Sequence, residues 1–423
     1  MFKKTSIVVG IALACALFCS YSSFVGFRAI IVVCMLLLAI ENNLIFLYPI
    51  VLFFYTQFGL FLGLSVSRLF SIFFLLSLFI SANSKGRLGI QRSNFLILTV
   101  YLAYITVVLL GNNVSLGISA LLNTVTIALM VSLFMKKEEQ LCCFFKVYIF
   151  AALLSIPAGI HQANSMVGHQ VIDGVLVETS RFMGTFDDPN YFTFFCYIAI
   201  VSLLTLDIFD KRIRALLICI FQVCILSTLS ITGIVCGIII WMMYFLITHQ
   251  INLKLFLLIP IMFFCAVGLY NYGLQNQDAP IIGDLSMRIY DKILSLQIGD
   301  MVKVTTGRTS LSEVHLEYYL NQGFFKMLFG GNLANTKITQ LGSIRFAAHN
   351  EYIDILLNVG IVGAALFFSG FLYNTYHAYK EKCLDKTKEK SGNCIILMKL
   401  LWLLYAGTLT LFLEERFMLF VFL

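Results

Sequence analysis

Charge is scarce in this chain: only 12% of its 423 residues are Asp, Glu, Lys or Arg, against 60% hydrophobic residues, with a mean hydropathy of +0.92. A soluble domain cannot dress its surface from that supply, so the composition excludes one and indicates an integral membrane protein. No soluble basic domain or basic-aromatic array accompanies the formal net charge of +7, which excludes a nucleic-acid binder; the excess belongs to loops. Cysteine is missing from residues 161–190 and 273–350, where the polar chemistry lies, and the 12 cysteines fall in apolar runs or between His377 and Cys394. No disulfide and no Cys-x-x-Cys metal site is implied, since Cys142 and Cys143 are simply adjacent. Asp-x-Asp, His-Glu-x-x-His, Gly-x-Ser-x-Gly and P-loop patterns are also lacking. Metal-dependent use of a nucleotide sugar, metalloprotease action and ATP hydrolysis therefore have no motif to stand on, and no cofactor or metal is expected.

What is present is a series of apolar runs, drawn at 5–22, 27–40, 44–60, 62–82, 94–110, 114–135, 141–160, 191–207, 214–230, 233–248, 254–272, 352–373 and 395–413. Their lengths suit helices that cross the hydrocarbon rather than alternating barrel strands. The expected fold is all-α: a polytopic membrane bundle of about 12–13 transmembrane helices, one domain over 1–423. The N-terminal Met1-Phe2-Lys3-Lys4 and the following apolar run fit a signal peptide, but no small-residue cleavage site follows, so a retained first helix is expected. Lys3 and Lys4, Lys85, Arg87 and Arg92, Lys136 and Lys137, Lys211, Arg212 and Arg214, and five lysines from Lys380 to Lys390 share one face if the helices alternate. By the positive-inside rule that face, with the N-terminus and a basic loop at 374–394, is cytoplasmic. Residues 161–190 and the large 273–350 segment, with short surface helices, are then exported loops. Glu41-Asn42-Asn43 must make a tight turn.

Within the loops, Asp188-Pro189 reads as N-cap and first residue of the next helix, and Asn350 as N-cap of another with Glu351 and Asp354 in its first turn. Ser310-Leu311-Ser312-Glu313 matches a capping box, and Leu311, Val314, His315 and Tyr318 recur at helical spacing. Asp188, Pro189 and Asn190 can be caps and nothing more. Arg181, however, is the only Arg or Lys in its loop and adjoins a helix N-terminus that favours an anion. Arg308 offers a fixed, always-charged fork suited to phosphate, although a solvated pairing with Glu313 is the commoner fate of such residues. Arg288 is a weaker candidate in a mixed stretch. His349 can contact phosphate when charged or accept a proton when neutral. Glu41, Arg68, Lys146 and Lys399 lie near segment ends, where they can snorkel or pair.

Arg181-x-x-Gly-Thr-Phe-x-Asp-Pro-Asn190, Thr306-Gly307-Arg308, Leu328-Phe329-Gly330-Gly331 and Ala348-His349-Asn350-Glu351-Tyr352 with Gly360 and Gly363 together resemble the bacterial O-antigen polymerase and ligase superfamily, most strongly over 181–373. The resemblance implies metal-independent glycosyl transfer on the outer face of the cytoplasmic membrane, from an undecaprenyl diphosphate-linked oligosaccharide. Carried over, Arg181 and Arg308 hold the lipid diphosphate and His349 assists there or activates the acceptor hydroxyl. Asn350 and Glu313 join the substrate contacts, with Glu313 or Glu317 the reserve base. Where many relatives carry an arginine after a serine, this chain has Ile231 in Ser227-Thr228-Leu229-Ser230-Ile231-Thr232-Gly233; Arg288 is the candidate replacement. The expected activity is a polymerase of repeat units, for O-antigen or capsule-type polysaccharide, with a chain-length regulator protein as an implied partner. A ligase to lipid A-core is the near alternative. A transporter or flippase of lipid-linked glycan is the alternative of another class, expected to show duplicated halves, broken helices and charges deep in the bundle, none of which the sequence clearly shows.

Overall fold

The computed structural model describes residues 3–61, 64–85, 102–104, 114–134, 138–163, 168–172, 175–179, 181–248, 267–279, 281–305, 307–331, 339–341, 344–346, 348–409, 419–421 and 423. The expected segments at 94–110 and 254–272, and Thr306, fall wholly or largely outside these residues. The described chain is mostly helical. Its strands form three two-stranded antiparallel hairpins, of which the longest pairs Gly168–Ile172 with Val175–Thr179. Three helices are long and apolar enough to cross a membrane, Lys3–Tyr21, Glu138–His161 and Glu351–Leu384; shorter apolar helices include Val25–Ile40, Pro189–Thr205 and Ile231–Ile247.

The helix Pro189–Thr205 is the hub. All its residues except Tyr191 and Leu204 are buried, and it packs against Glu138–Ala163, Lys211–Ser227, Ile231–Ile247 and Glu389–Ala406. Ile231–Ile247 comes close because it presents Gly233 and Gly237 one turn apart: a side chain at Gly237 would collide with the Tyr197 hydroxyl. Small residues four apart are the usual way for two apolar helices to approach backbone to backbone. Polar side chains then tie the hub down, Tyr148 donating to the Phe195 carbonyl at 3.0 Å and Tyr405 to the Thr193 hydroxyl at 2.9 Å. These bonds are strong where water does not compete.

The apolar run at 44–60, expected as one crossing, is broken. It divides into a 3-10 turn, Leu44–Leu47, and the short helices Tyr48–Phe53 and Tyr55–Phe58, ending at Gly59 with φ 55°. Pro49 lies in the first turn of the second piece, because proline is at home in a first turn and cannot continue a helix through it. Every side chain from Leu44 to Phe54 is buried, so this segment is core. The turn before it is as expected: Asn42 has φ 55° and the Asn43 N–H donates to the Leu38 carbonyl at 2.8 Å.

A second helix is also interrupted. Glu351–Leu384 leaves helical geometry at Gly360, φ 66° and ψ −175°, and Leu328–Gly330 docks into the break, where a Gly360 side chain would strike the Leu328 carbonyl. Two glycines noted apart in the sequence, Gly330 and Gly360, thus form one joint. The helix then runs on to Leu384, and Lys386–Lys388 and Glu389–Ala406 follow, so the 374–394 stretch is helical over most of its length. Lys399 does not snorkel. It is 1% exposed, donates to the Val421 carbonyl at 3.1 Å and lies 4.9 Å from the Phe371 ring centre.

Candidate functional site

The site is built where two helices start side by side. Asp188 is the N-cap of Pro189–Thr205, with extended backbone (φ −139°) and a carboxylate accepting the Asn190 N–H at 2.6 Å. Ser230 caps Ile231–Ile247 by accepting the Gly233 N–H at 3.0 Å, and its hydroxyl also donates to Asn190 Oδ1 at 2.6 Å. One buried bond therefore joins the two N-termini, and their partial positive charges add at one place.

The Asp188 loop is seated from below. Thr185 donates its hydroxyl to the Phe53 carbonyl at 2.5 Å, and Thr56 donates to the Thr185 carbonyl at 2.8 Å. Phe186 stacks on Phe195 with centroids 4.8 Å apart. Gly184 is required at φ 59°, since a side chain there would meet the Phe192 ring at 2.6 Å. The broken Leu44–Phe58 segment is thus the floor under the loop that carries Arg181.

Three arginines from three parts of the sequence converge on the turn before Ile231–Ile247. Arg181 Nε donates to the Thr228 carbonyl at 2.9 Å, Arg288 Nη1 donates to the Leu229 carbonyl at 2.9 Å, and Arg308 Nη1 lies 3.5 Å from the Thr232 hydroxyl. Leu229 adopts φ 53°, a strained region for a leucine. Ile231 is the first residue of the helix that follows this turn. Arg288, from the helix Ile282–Gln297, supplies a basic group to the turn from outside.

Burial, and at Arg181 and Lys292 also crowding of like charge, is legible in the acidities. Burial, then repulsion from Arg288 and Arg308, lowers Arg181 to about 10, while Asp188 opposes the shift. Arg288 and Arg308 are also lowered, first by burial, against the attraction of Asp284 and of Asp188 respectively. Lys292 falls to about 8, through burial and then repulsion from Arg288 and Arg308. The arginines keep their protons at neutral pH. Four cations that stabilise one another poorly, beside two helix starts, are arranged to accept an anion.

The helix carrying Arg308 begins differently from expectation. Arg308 is its first residue and Gly307, at φ 78°, its N-cap. The Thr305 hydroxyl accepts the Thr309 N–H at 3.3 Å and bonds the Thr309 hydroxyl at 2.7 Å, so Thr305 does the work assigned to Ser310, which lies inside the helix. The buried side also differs: His315 and Tyr319 are buried, whereas Val314 and Tyr318 are exposed.

Asn350 is the N-cap of Glu351–Leu384, accepting the Tyr352 and Ile353 N–H groups at 3.1 and 3.4 Å. His349 precedes it with φ 50°. Ser312, one turn past Arg308, donates to the Ala348 carbonyl at 3.2 Å, so the residue before His349 is tied to the helix that carries Arg308. Glu313 and Glu317 stand on the exposed side of their helix, and the structure does not bring them to the arginine turn. Lys292 and Thr232 belong to the cluster and were not singled out from sequence; Lys292 lies four residues after Arg288, on the same helix face.

Comparison with protein-family models and with curated proteins finds no match to this chain.

Proposed function

We propose that this protein is a polymerase that joins undecaprenyl diphosphate-linked oligosaccharide repeat units on the outer face of the bacterial cytoplasmic membrane. The observation that carries the reading is the meeting of Arg181, Arg288 and Arg308 at the Thr228–Thr232 turn, between two helix N-termini tied by the Ser230–Asn190 bond. In the reaction an acceptor sugar hydroxyl attacks the anomeric carbon of the donor. The bond from that carbon to the diphosphate oxygen breaks, and the diphosphate leaves with the electron pair. Charge grows on the leaving oxygens, and preorganised arginines stabilise it without reorganising. The acceptor proton goes to His349, which is a competent base when neutral. The donor is already activated by its diphosphate, so this scheme needs no nucleotide and no metal.

A deletion strain complemented with wild type, Arg308→Ala or His349→Ala tests the proposal by electrophoresis of surface polysaccharide, with membrane levels checked. A ladder collapsed to core plus one repeat, restored by wild type alone, is the expected result. Naked core with polymer left on its carrier would assign the ligase instead. Full-length polymer from the Arg308→Ala strain would remove the catalytic role.

A second reading, transport of the lipid-linked glycan, is favoured by the broken Leu44–Phe58 segment and the interrupted helix at Gly360, since broken helices are a transporter trait. Translocation of a labelled polyprenyl diphosphate glycan by the purified protein in vesicles would favour it over the polymerase.

A further inference from the structure

The helix Ile282–Gln297 carries two unlike faces. Arg288, Lys292 and Ser295 recur at i, i+4 and i+7 on one side; Arg288 reaches the Leu229 carbonyl, Lys292 donates to the Lys303 carbonyl and Ser295 is buried. Tyr290, Ile293 and Leu294 occupy the opposite side at i, i+3 and i+4, and are 44%, 45% and 44% exposed. A helix on a water-exposed surface turns such a stripe inward. Here the basic face is turned to the protein and the apolar face is left outward.

The stripe has a beginning. Its N-terminal part, Gly283 and Ser286, is buried against residues 273–277: Gly273 is so close to Ser286 that any side chain at Gly273 would collide with its hydroxyl, and Gly283 abuts the Gln277 carbonyl. Helical residues 267–275 end the apolar run that precedes this contact, and they expose Val267, Leu269 and Tyr272. Ile282–Gln297 therefore follows, across the exposed polar turn at 275–278, directly on a segment whose own outward side is apolar. The short helix Phe324–Phe329, docked on Glu351–Leu384, likewise exposes Phe324 and Phe325, 65% and 76%, beside Lys326. By contrast, Arg308–Leu320 puts Glu313 and Glu317 in the middle of its exposed side, as a water-facing helix does.

We infer that Ile282–Gln297, with Phe324 and Phe325, lies in the surface of the membrane that holds the protein, its Tyr290-Ile293-Leu294 face among lipid acyl chains. The aromatic residues stand at the level where ring and headgroup meet. Arg288 and Lys292, on the far face of the same helix, are thereby held at headgroup height facing the arginine turn. The short polar turn selects lipid over a protein partner: Gly273 and Gln277 pack on Ser286 and Gly283, so the helix starts directly at the end of the apolar run, at the edge of the bilayer. The inference rests on the membrane reading and not on the reaction proposed for the site.

The test uses the full chain reconstituted in phosphatidylcholine vesicles, with Leu294→Trp, Phe325→Trp and Glu317→Trp compared with the parent, whose own tryptophans are Trp241 and Trp402. Leu294→Trp and Phe325→Trp are expected to lose at least about half of their added emission when the lipid is brominated in the upper acyl chain, the level of roughly 5–10 Å at which an interfacial helix lies. Glu317→Trp is expected to keep its emission and to be quenched by aqueous iodide. Quenching of Leu294→Trp and Phe325→Trp by iodide and not by brominated lipid would overturn the inference. So would insensitivity to both quenchers together with Leu294→Cys crosslinking between copies, which would assign the face to a second copy. Loss of Trp241 quenching by deeply brominated lipid would overturn the membrane reading and this inference with it.

Discussion

A leucine held in the left-handed region carries about 1–2 kcal/mol of strain, and Leu229 is held there at φ 53° with its carbonyl turned to Arg288. The Thr228 and Leu229 carbonyls orient the Arg181 and Arg288 forks and the Thr232 hydroxyl meets that of Arg308, so shape matters at this site as well as charge. Arg308→Lys keeps the charge and loses the fork. Its polymer-forming rate is expected to fall about tenfold or more, equivalent to ~1.4 kcal/mol of lost transition-state binding, with membrane levels unchanged; a rate equal to wild type would reduce Arg308 to a point charge. Lys292 makes a prediction in pH. Its proton leaves at about 8 in the folded protein against an ordinary 10.5, so anion affinity measured by titration calorimetry is expected to fall as pH rises through 8 to 9. Lys292→Gln is expected to bind more weakly at pH 7 and to lack that decline. The same shift has a stability sign: between about 8 and 10.5 the unfolded chain holds the extra proton, so stability rises with pH across that window.

Elements decide whether those residues meet. The N-termini of Pro189–Thr205 and Ile231–Ile247 lie together because Gly233 and Gly237 allow close approach to Thr193 and Tyr197. Gly237→Leu cannot fit without parting the helices. It is expected to lower the thermal unfolding midpoint in detergent, by a destabilisation of about 1–3 kcal/mol for overpacking, and to weaken anion binding although residue 237 touches no anion. Normal binding with lowered stability would separate packing from the site. The same scale shows what could be read from the sequence. Asp188 and Asn350 were recognisable as caps because a cap bonds an N–H two or three residues ahead, inside any short window. Ser310 imitated a cap equally well, and only the left-handed Gly307 and the Thr305–Thr309 bond moved the start to Arg308. The break at Phe54 and the joint between Gly330 and Gly360 were hidden, because hydropathy along 44–60 and 352–373 does not record a partner that fills a gap. Arg288 was legible as a candidate but its place was not, since 59 residues separate it from Leu229.

At the scale of the whole molecule, apolar composition and apolar length pointed to a membrane protein, and the described chain has helices of the needed length in Lys3–Tyr21, Glu138–His161 and Glu351–Leu384. The number of crossings is harder to read from sequence, because buried apolar residues such as Leu44 to Phe54 look the same as lipid-facing ones to a hydropathy window. Sidedness is carried by lysines, and it makes a prediction that depends on no single helix count. Cys383 is exposed, on the basic stretch from Lys380 to Lys390, and Glu317 is exposed on the Arg308–Leu320 helix. The positive-inside rule assigns these to opposite faces. In a Cys219→Ser background, which removes the other exposed cysteine among the described residues, a membrane-impermeant maleimide is expected to label Cys383 in inverted vesicles and not in intact cells made permeable only at the outer membrane. With Glu317→Cys added in a Cys383→Ser background the order reverses. Labelling of both positions in inverted vesicles alone would put the arginine turn on the cytoplasmic face, which the proposed reaction on the outer face excludes. The sidedness of Glu317 therefore bears on the proposed reaction as directly as any change to the arginines themselves.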